Sequence, residues 1–126
     1  MKPVVYDTGV LIAADRGQRR TWAEHRVRLE AGIIPLVPSP VVAQASRSPK
    51  QAQMRLLLRG CEVVAFDETA AHLAGSLLGK TRTKDVVDAA VVVLSIRRGA
   101  DVISDDAKDI RALLSAAHAR VSIIDV

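Results

Sequence analysis

Residues 84–94 read KDVVDAAVVVL, and whether they form a strand or a helix decides the fold. Val91, Val92 and Val93 are β-branched, which favours a strand. Length favours a helix. The segment continues through SIRRG to Gly99, and a separate strand candidate, ADVIS (100–104), follows at once. Read as a helix, the segment places Asp85 and Asp88 three apart, on one face of its first turn, with Cβ atoms about 5–6 Å apart. Two like charges at the mouth of an apolar helix then need an explanation.

Working outward, short apolar runs alternate with helical stripes along the whole chain. PVVY (3–6) reads as a buried strand ending at Asp7, and TGVLIAADRG as a short helix closed by Gly17. TWAEHRVRLEAG (21–32) predicts a helix with Thr21 as N-cap, Glu24 at the capping-box position and Gly32 as stop. IIPLVP (33–38) reads as a strand whose proline suggests an edge or irregular position. Ser39 and Pro40 look like cap and first residue of the next helix, and PKQAQMRLLLRG (49–60) like another. CEVVAF (61–66) is a strand, DETAAHLAGSLLGK (67–80) a helix capped by Asp67, DAKDIRALLSAAHA a helix and RVSIIDV the last strand. Alternation of this kind predicts an α/β layer structure with a largely parallel central sheet.

The 126 residues suit a single domain over 1–126. With 49% hydrophobic and 25% charged residues, the composition is ordinary for a soluble globular protein. Cys61 is the one cysteine, so no intrachain disulfide can form; it reads as a small core or edge residue. No run of eighteen apolar residues predicts a membrane span, and Asp7 interrupts the opening MKPVVYDTGV too soon for a signal peptide. A cytoplasmic location is therefore expected. The net charge of +4 is a modest attraction for polyanions. Tyr6, Trp22 and Phe66 are the only aromatics, too few for a single-strand binder built on stacking.

In an open parallel sheet, ligands bind beyond the carboxyl ends of the strands, where strand order reverses. Asp7 ends the first strand, and Ser104, Asp105 and Asp106 follow ADVI. If those strands are neighbours, Asp7 and Asp106 share a rim that Asp88 can reach. At ~6 Å and an effective dielectric of about 20, two carboxylates repel by roughly 2.8 kcal/mol. A helix N-terminus returns about 0.3–1 kcal/mol for each. A hard divalent cation removes the conflict: Mg²⁺ or Mn²⁺ accepts one or two carboxylates, several waters and a substrate phosphate. Such a centre suits phosphodiester hydrolysis. His25, His72 and His118 are scattered and read as solvated helix residues.

The residues that carry this reading also carry a resemblance. VVYDTGVLIA resembles the opening of a PIN domain, and DVVDAAVVVLSIRRGADVISDDAKDI its later acidic motif. Order and spacing cover essentially the whole chain, which is similar to the VapC-type toxins of toxin–antitoxin pairs. The resemblance implies a three-layer α/β fold, with a central, mostly parallel sheet flanked by helices. It also implies Mg²⁺- or Mn²⁺-dependent cleavage of RNA, a homodimer, and a VapB-type antitoxin as partner. Asp7, Asp88 and Asp106 match the family's acids, as candidate catalytic and metal-ligating residues. Thr8 and Ser104 match its ligand-orienting hydroxyls. Gln44 stands nearest to where the family usually has Glu; a neutral oxygen holds a metal more weakly, and Asp85 or Asp105 could supply the missing charge. A weakened or inactive PIN relative is therefore the alternative to the toxin.

Each acid also has a plainer explanation. Asp7 and Asp85 can cap helices, and Asp106 can decorate a first turn. Asp88, one turn inside an apolar stretch, is poorly placed to cap. Asp15, Asp67, Asp105 and Asp109 read as surface or capping residues. Gln44, on an apolar helix, needs some polar partner. Among the cations, Arg47 and the loop residues Lys80, Arg82 and Lys84 are candidates for an RNA backbone, against the usual solvated face. Two other classes are weaker. A receiver or phosphohydrolase-like domain would want a late lysine after a strand, which RVSIIDV lacks. The DTG of an aspartic protease belongs to all-β folds.

Overall fold

The computed structural model of the chain describes residues 2–126. In order the elements are β1 (Val4–Tyr6), α1 (Thr8–Asp15), α2 (Arg19–Glu30), β2 (Leu36–Pro38), α3 (Ser39–Ala45) and α4 (Ala52–Arg59). They continue with β3 (Glu62–Val64), α5 (Glu68–Thr81), α6 (Val86–Arg98), β4 (Asp101–Ile103), α7 (Ala107–Ala116) and β5 (Ile123–Ile124). The strands form one all-parallel sheet in the order β3-β2-β1-β4-β5, flanked by the helices. This is the expected three-layer α/β architecture. No helix among the described residues is long and apolar enough to cross a membrane.

The decisive segment is a helix. Asp85 caps α6 by accepting from the Asp88 N–H at 3.0 Å. Gly99 ends it in the left-handed region, at φ +60°, where a Cβ would be strained. Between them every residue from Asp88 to Ser95 is buried. A helix buried all round has no amphipathic stripe to read, which is why its valines resemble a strand. It packs on α5, α7, α3 and β1.

Strand order reverses at β1. The chain goes from β1 to β2 on one side, and β4 later pairs with the other side of β1, with Tyr6 opposite Ile103. The Asp7 N–H continues the ladder, donating to the Ile103 carbonyl at 3.0 Å. That register brings the carboxyl end of β1 beside the carboxyl end of β4. All three residues of β1 are buried, so the crevice rests on the centre of the core.

Several boundaries differ from the sequence reading. Helix α2 begins two residues before Thr21, which is a buried helical residue and no cap. Strand β2 is interior, not at an edge. Pro35 precedes it and contributes its carbonyl to the Glu62 N–H, while Pro38 closes it at the start of α3. Pro38 holds the N-cap position of α3; Ser39 lies inside the helix and its Oγ accepts from the Phe66 N–H at 3.1 Å. Helix α4 starts only at Ala52, because Gln51 turns its Oε1 back onto the N–H groups of Arg47 and Ser48. β5 is shorter than RVSIIDV. Asp67 caps α5 as expected.

His25 corrects the reading of the histidines as solvated. It is buried, its Nδ1 2.8 Å from the Tyr6 hydroxyl, with Trp22 edge-on to its ring. Arg28 donates to the same hydroxyl. His72 lies exposed on α5, while His118 sits in a left-handed turn after α7. Cys61 is half-buried, donates to the Leu57 carbonyl, and has its thiol pushed up to about 12 by burial, which suits an inert packing residue.

Candidate metal centre

At the switch point a cleft of about 340 Å³ opens over the carboxyl ends of β1 and β4. Its walls include Asp7, Asp85, Asp88, Asp105 and Asp106, together with Thr8, Gln44 and Arg47. A larger cleft, about 520 Å³, lies against α2 and α4 and is lined by Trp22, His25, Leu29 and Leu56 without a single carboxylate. Concavity alone therefore does not identify the site; the concentration of acids does.

Each acid is placed by the end of an element. Asp7 leaves β1 and caps α1, its Oδ1 accepting from the Thr8 N–H at 2.7 Å. Its Oδ2 accepts from the Ser104 hydroxyl at 2.6 Å. Ser104, fully buried just past β4, also accepts from the Asp106 N–H, so it ties the two strand ends together. Asp106 holds the N-cap position of α7 but makes no capping bond, which leaves its carboxylate facing the cleft. Gln44, from α3, finds its polar partner in the Thr8 hydroxyl, which donates to its Oε1. Asp105 lies over the start of α1, and Gly9 makes room for it: a Cβ there would meet the Asp105 carboxyl at 2.5 Å.

Asp88 is the least comfortable member. It is 5% exposed, and its Oδ2 is fully shielded with no hydrogen-bond partner among the described residues. Burial, then the negative fields of Asp85, Asp7, Asp106 and Asp109, push its carboxyl up to about 7. Asp7 is raised by burial against the lowering effect of Ser104 and Thr8. Asp106 is raised by partial burial and then by Asp109. A buried oxygen without a donor, surrounded by like charge, is a poor structural element. It is a good ligand for a hard divalent cation, which wants oxygen donors of this kind. The residues fit such an ion.

The sequence-predicted residues divide clearly. Asp7, Thr8, Gln44, Arg47, Asp85, Asp88 and Asp106 line one cleft, with Ser104 immediately behind it. Lys80, Arg82 and Lys84 do not line it: they sit, exposed, at the end of α5 and in the turn before α6. Asp85 is held as the cap of α6 as well as lining the cleft. By sequence Asp109 reads as a surface residue. It is exposed, yet it brings a carboxylate oxygen within 4.8 Å of oxygens of Asp88 and Asp106. A signal for it was present, since Asp106 and Asp109 have the same i, i+3 spacing as Asp85 and Asp88.

The family model of the PIN domain matches residues 4–113. No curated protein sequence matches the chain. Among solved structures, the chain is similar to VapBC2 from Rickettsia felis bound to a promoter DNA fragment. The TM-score is 0.72 at 14% identity, covering 98% of each chain. It is also similar to a toxin–antitoxin complex from Klebsiella pneumoniae (TM-score 0.65, 18% identity, 84% of this chain and 88% of that one). FitAcB from Neisseria gonorrhoeae is another (TM-score 0.65, 16% identity, 96% of each). At these identities the likeness is one of fold.

Proposed function

The chain belongs to the PIN domain family, and from that premise we propose that it is a metal-dependent endoribonuclease, the toxin of a toxin–antitoxin pair. The observation that carries the reading is Asp88: a buried carboxylate with an unsatisfied oxygen, among Asp7, Asp85, Asp106 and Asp109. Mg²⁺ or Mn²⁺, when bound, supplies Lewis-acid polarisation of the phosphoryl oxygen and lowers the pKa of water. The chain's own residues do the rest. Asp88 and Asp106 would hold the ion, with the help of Asp7, whose carboxylate is oriented by the Ser104 hydroxyl and the Thr8 N–H. Asp85 contributes negative field while fixing the first turn of α6. Arg47, on the rim, meets a phosphate of the RNA backbone. No histidine lines the cleft among the described residues. The raised proton affinity of Asp7 and Asp88 belongs to the metal-free cleft, and an ion bound by them would remove it.

The partner in this reading is a VapB-type antitoxin and the active form a homodimer in the cytoplasm. Support comes from the fold shared with proteins solved as toxin–antitoxin complexes. The test has two arms. The purified chain should cut RNA with Mg²⁺ or Mn²⁺ and stop with EDTA, while Asp7→Asn, Asp88→Asn and Asp106→Asn should fold and not cut. Expression in a bacterium should arrest growth, and co-expression with the neighbouring upstream reading frame should relieve it. Full cleavage by all three variants ends the proposal.

One observation favours a second reading, an inert PIN-domain binder. Gln44 is neutral, and its Oε1 is already occupied by Thr8. In that case Asp88→Asn changes neither metal binding nor any phenotype.

A further inference from the structure

We propose that Asp109 is a ligand of the divalent ion in this chain, binding it together with Asp88 and Asp106. The inference rests on the metal-dependent reading above and adds a residue that reading does not use for binding.

One carboxylate oxygen from each of the three residues lies within 4.8 Å of the other two. Exposed acids cluster without ions, so proximity alone is weak. What distinguishes this group is its buried member. Asp88 is 5% exposed, and its Oδ2 has no donor from any described residue. The acids that do have donors are fixed by them: Asp7 by Thr8 and Ser104, Asp85 by the Asp88 N–H. The carboxylates of Asp88, Asp106 and Asp109 accept no hydrogen bond from the described residues, and Asp109 joins no ion pair there. These three also converge, from the first turns of α6 and α7.

The opposite wall contributes less. Gln44 is uncharged, and its carbonyl oxygen already receives the Thr8 hydroxyl. Of the carboxylates around the cleft that have no internal donor, Asp105 lies over the start of α1, and the other three are brought together on the α6–α7 side. Oxygens on one octahedral Mg²⁺ or Mn²⁺ stand about 3 Å apart when adjacent and about 4 Å when opposite, from metal–oxygen distances near 2.1 Å. Asp109 is exposed, so its side chain can close the remaining gap without moving the core.

Mn²⁺ binding to the metal-free protein, followed by loss of the free-ion EPR signal, tests this directly. Asp109→Asn and Asp109→Ser should each weaken Mn²⁺ binding on the order of ten-fold or more. Glu68→Gln, which removes an exposed acid on α5, should leave it unchanged. Circular dichroism of the metal-free variants should match the parent. Parent-like Mn²⁺ affinity in both folded Asp109 variants overturns the assignment, and leaves the nuclease reading standing if the parent binds Mn²⁺ and cuts RNA. Failure of the parent itself to bind Mn²⁺ overturns both.

Discussion

Ser104 donates its hydroxyl to Asp7 Oδ2 at 2.6 Å, joining two positions 97 residues apart in sequence. The contact exists because β1 and β4 are parallel neighbours, so that the first residue past each strand meets the other. It is buried, and it is the main influence holding the Asp7 carboxyl down against burial. One short hydrogen bond thus links sheet topology to the protonation state of the site.

Removing that donor with Ser104→Ala should cost about 1.5–3 kcal/mol of stability, the range for a hydrogen bond to a charged group. It should also raise the Asp7 carboxyl further, since the bond favours the charged form. RNA cleavage should therefore lose activity most at the acid end, with its rising limb displaced to higher pH. Denaturant titration and a pH–rate profile check the two parts.

The raised carboxyl of Asp88 makes a linkage prediction. An acid whose folded pKa lies above its unfolded value binds its proton more tightly in the native state. Between the ordinary 3.8 and about 7, the native protein therefore holds more protons than the unfolded chain. Metal-free stability should fall as pH rises through that window and level off above it. Mn²⁺ should reverse the trend, raising the melting temperature more at pH 8 than at pH 5. Melting curves with EDTA and with Mn²⁺ measure both.

Arg47 lines the acidic cleft, whereas Lys80 belongs to a groove between α5 and α6 beside Leu73 and Ile96. Arg47→Ala should weaken RNA binding and reduce the salt slope by about one phosphate contact. Lys80→Ala should change neither. Filter binding of RNA across a salt series separates them.

Away from the cleft, Tyr6→Phe removes the hydroxyl that pairs with His25 and receives Arg28. The loss should be about 1–2 kcal/mol, because a buried histidine nitrogen is left unpaired. RNA cleavage at saturating metal should be unaffected. Thermal unfolding and a cleavage assay on the same preparation test this.

The alternation of elements was legible where a cap or a glycine stop bounds a helix, as Asp67 does for α5 and Gly99 for α6. The meeting of Asp7, Asp88 and Asp106 on one cleft followed from a rule of parallel sheets applied to strand ends. What stayed hidden depends on partners distant in sequence. His25 looks solvated on a polar helix, since nothing local reveals that Tyr6 waits beneath it. Thr21 and Ser39 look like caps, but Thr21 is buried within α2 and Ser39 serves the Phe66 N–H instead. Proline suggested an edge for β2, yet Pro35 precedes the strand and Pro38 ends it, so its interior stays free for pairing on both sides. Lys80, Arg82 and Lys84 directly precede Asp85 in sequence, yet Asp85 lines the cleft and they do not.

The central claim is that a buried carboxylate is balanced by an inorganic dication, and proton release on metal binding measures it most directly. Calorimetric titration of Mn²⁺ in buffers of different ionisation enthalpy gives the number of protons released. With Asp88 near 7, binding at pH 6.5 should expel between about half and one proton, falling towards none by pH 8.5. Asp88→Asn should abolish the release. Mn²⁺ binding that expels no proton across this range, or no Mn²⁺ binding at all, would contradict the account.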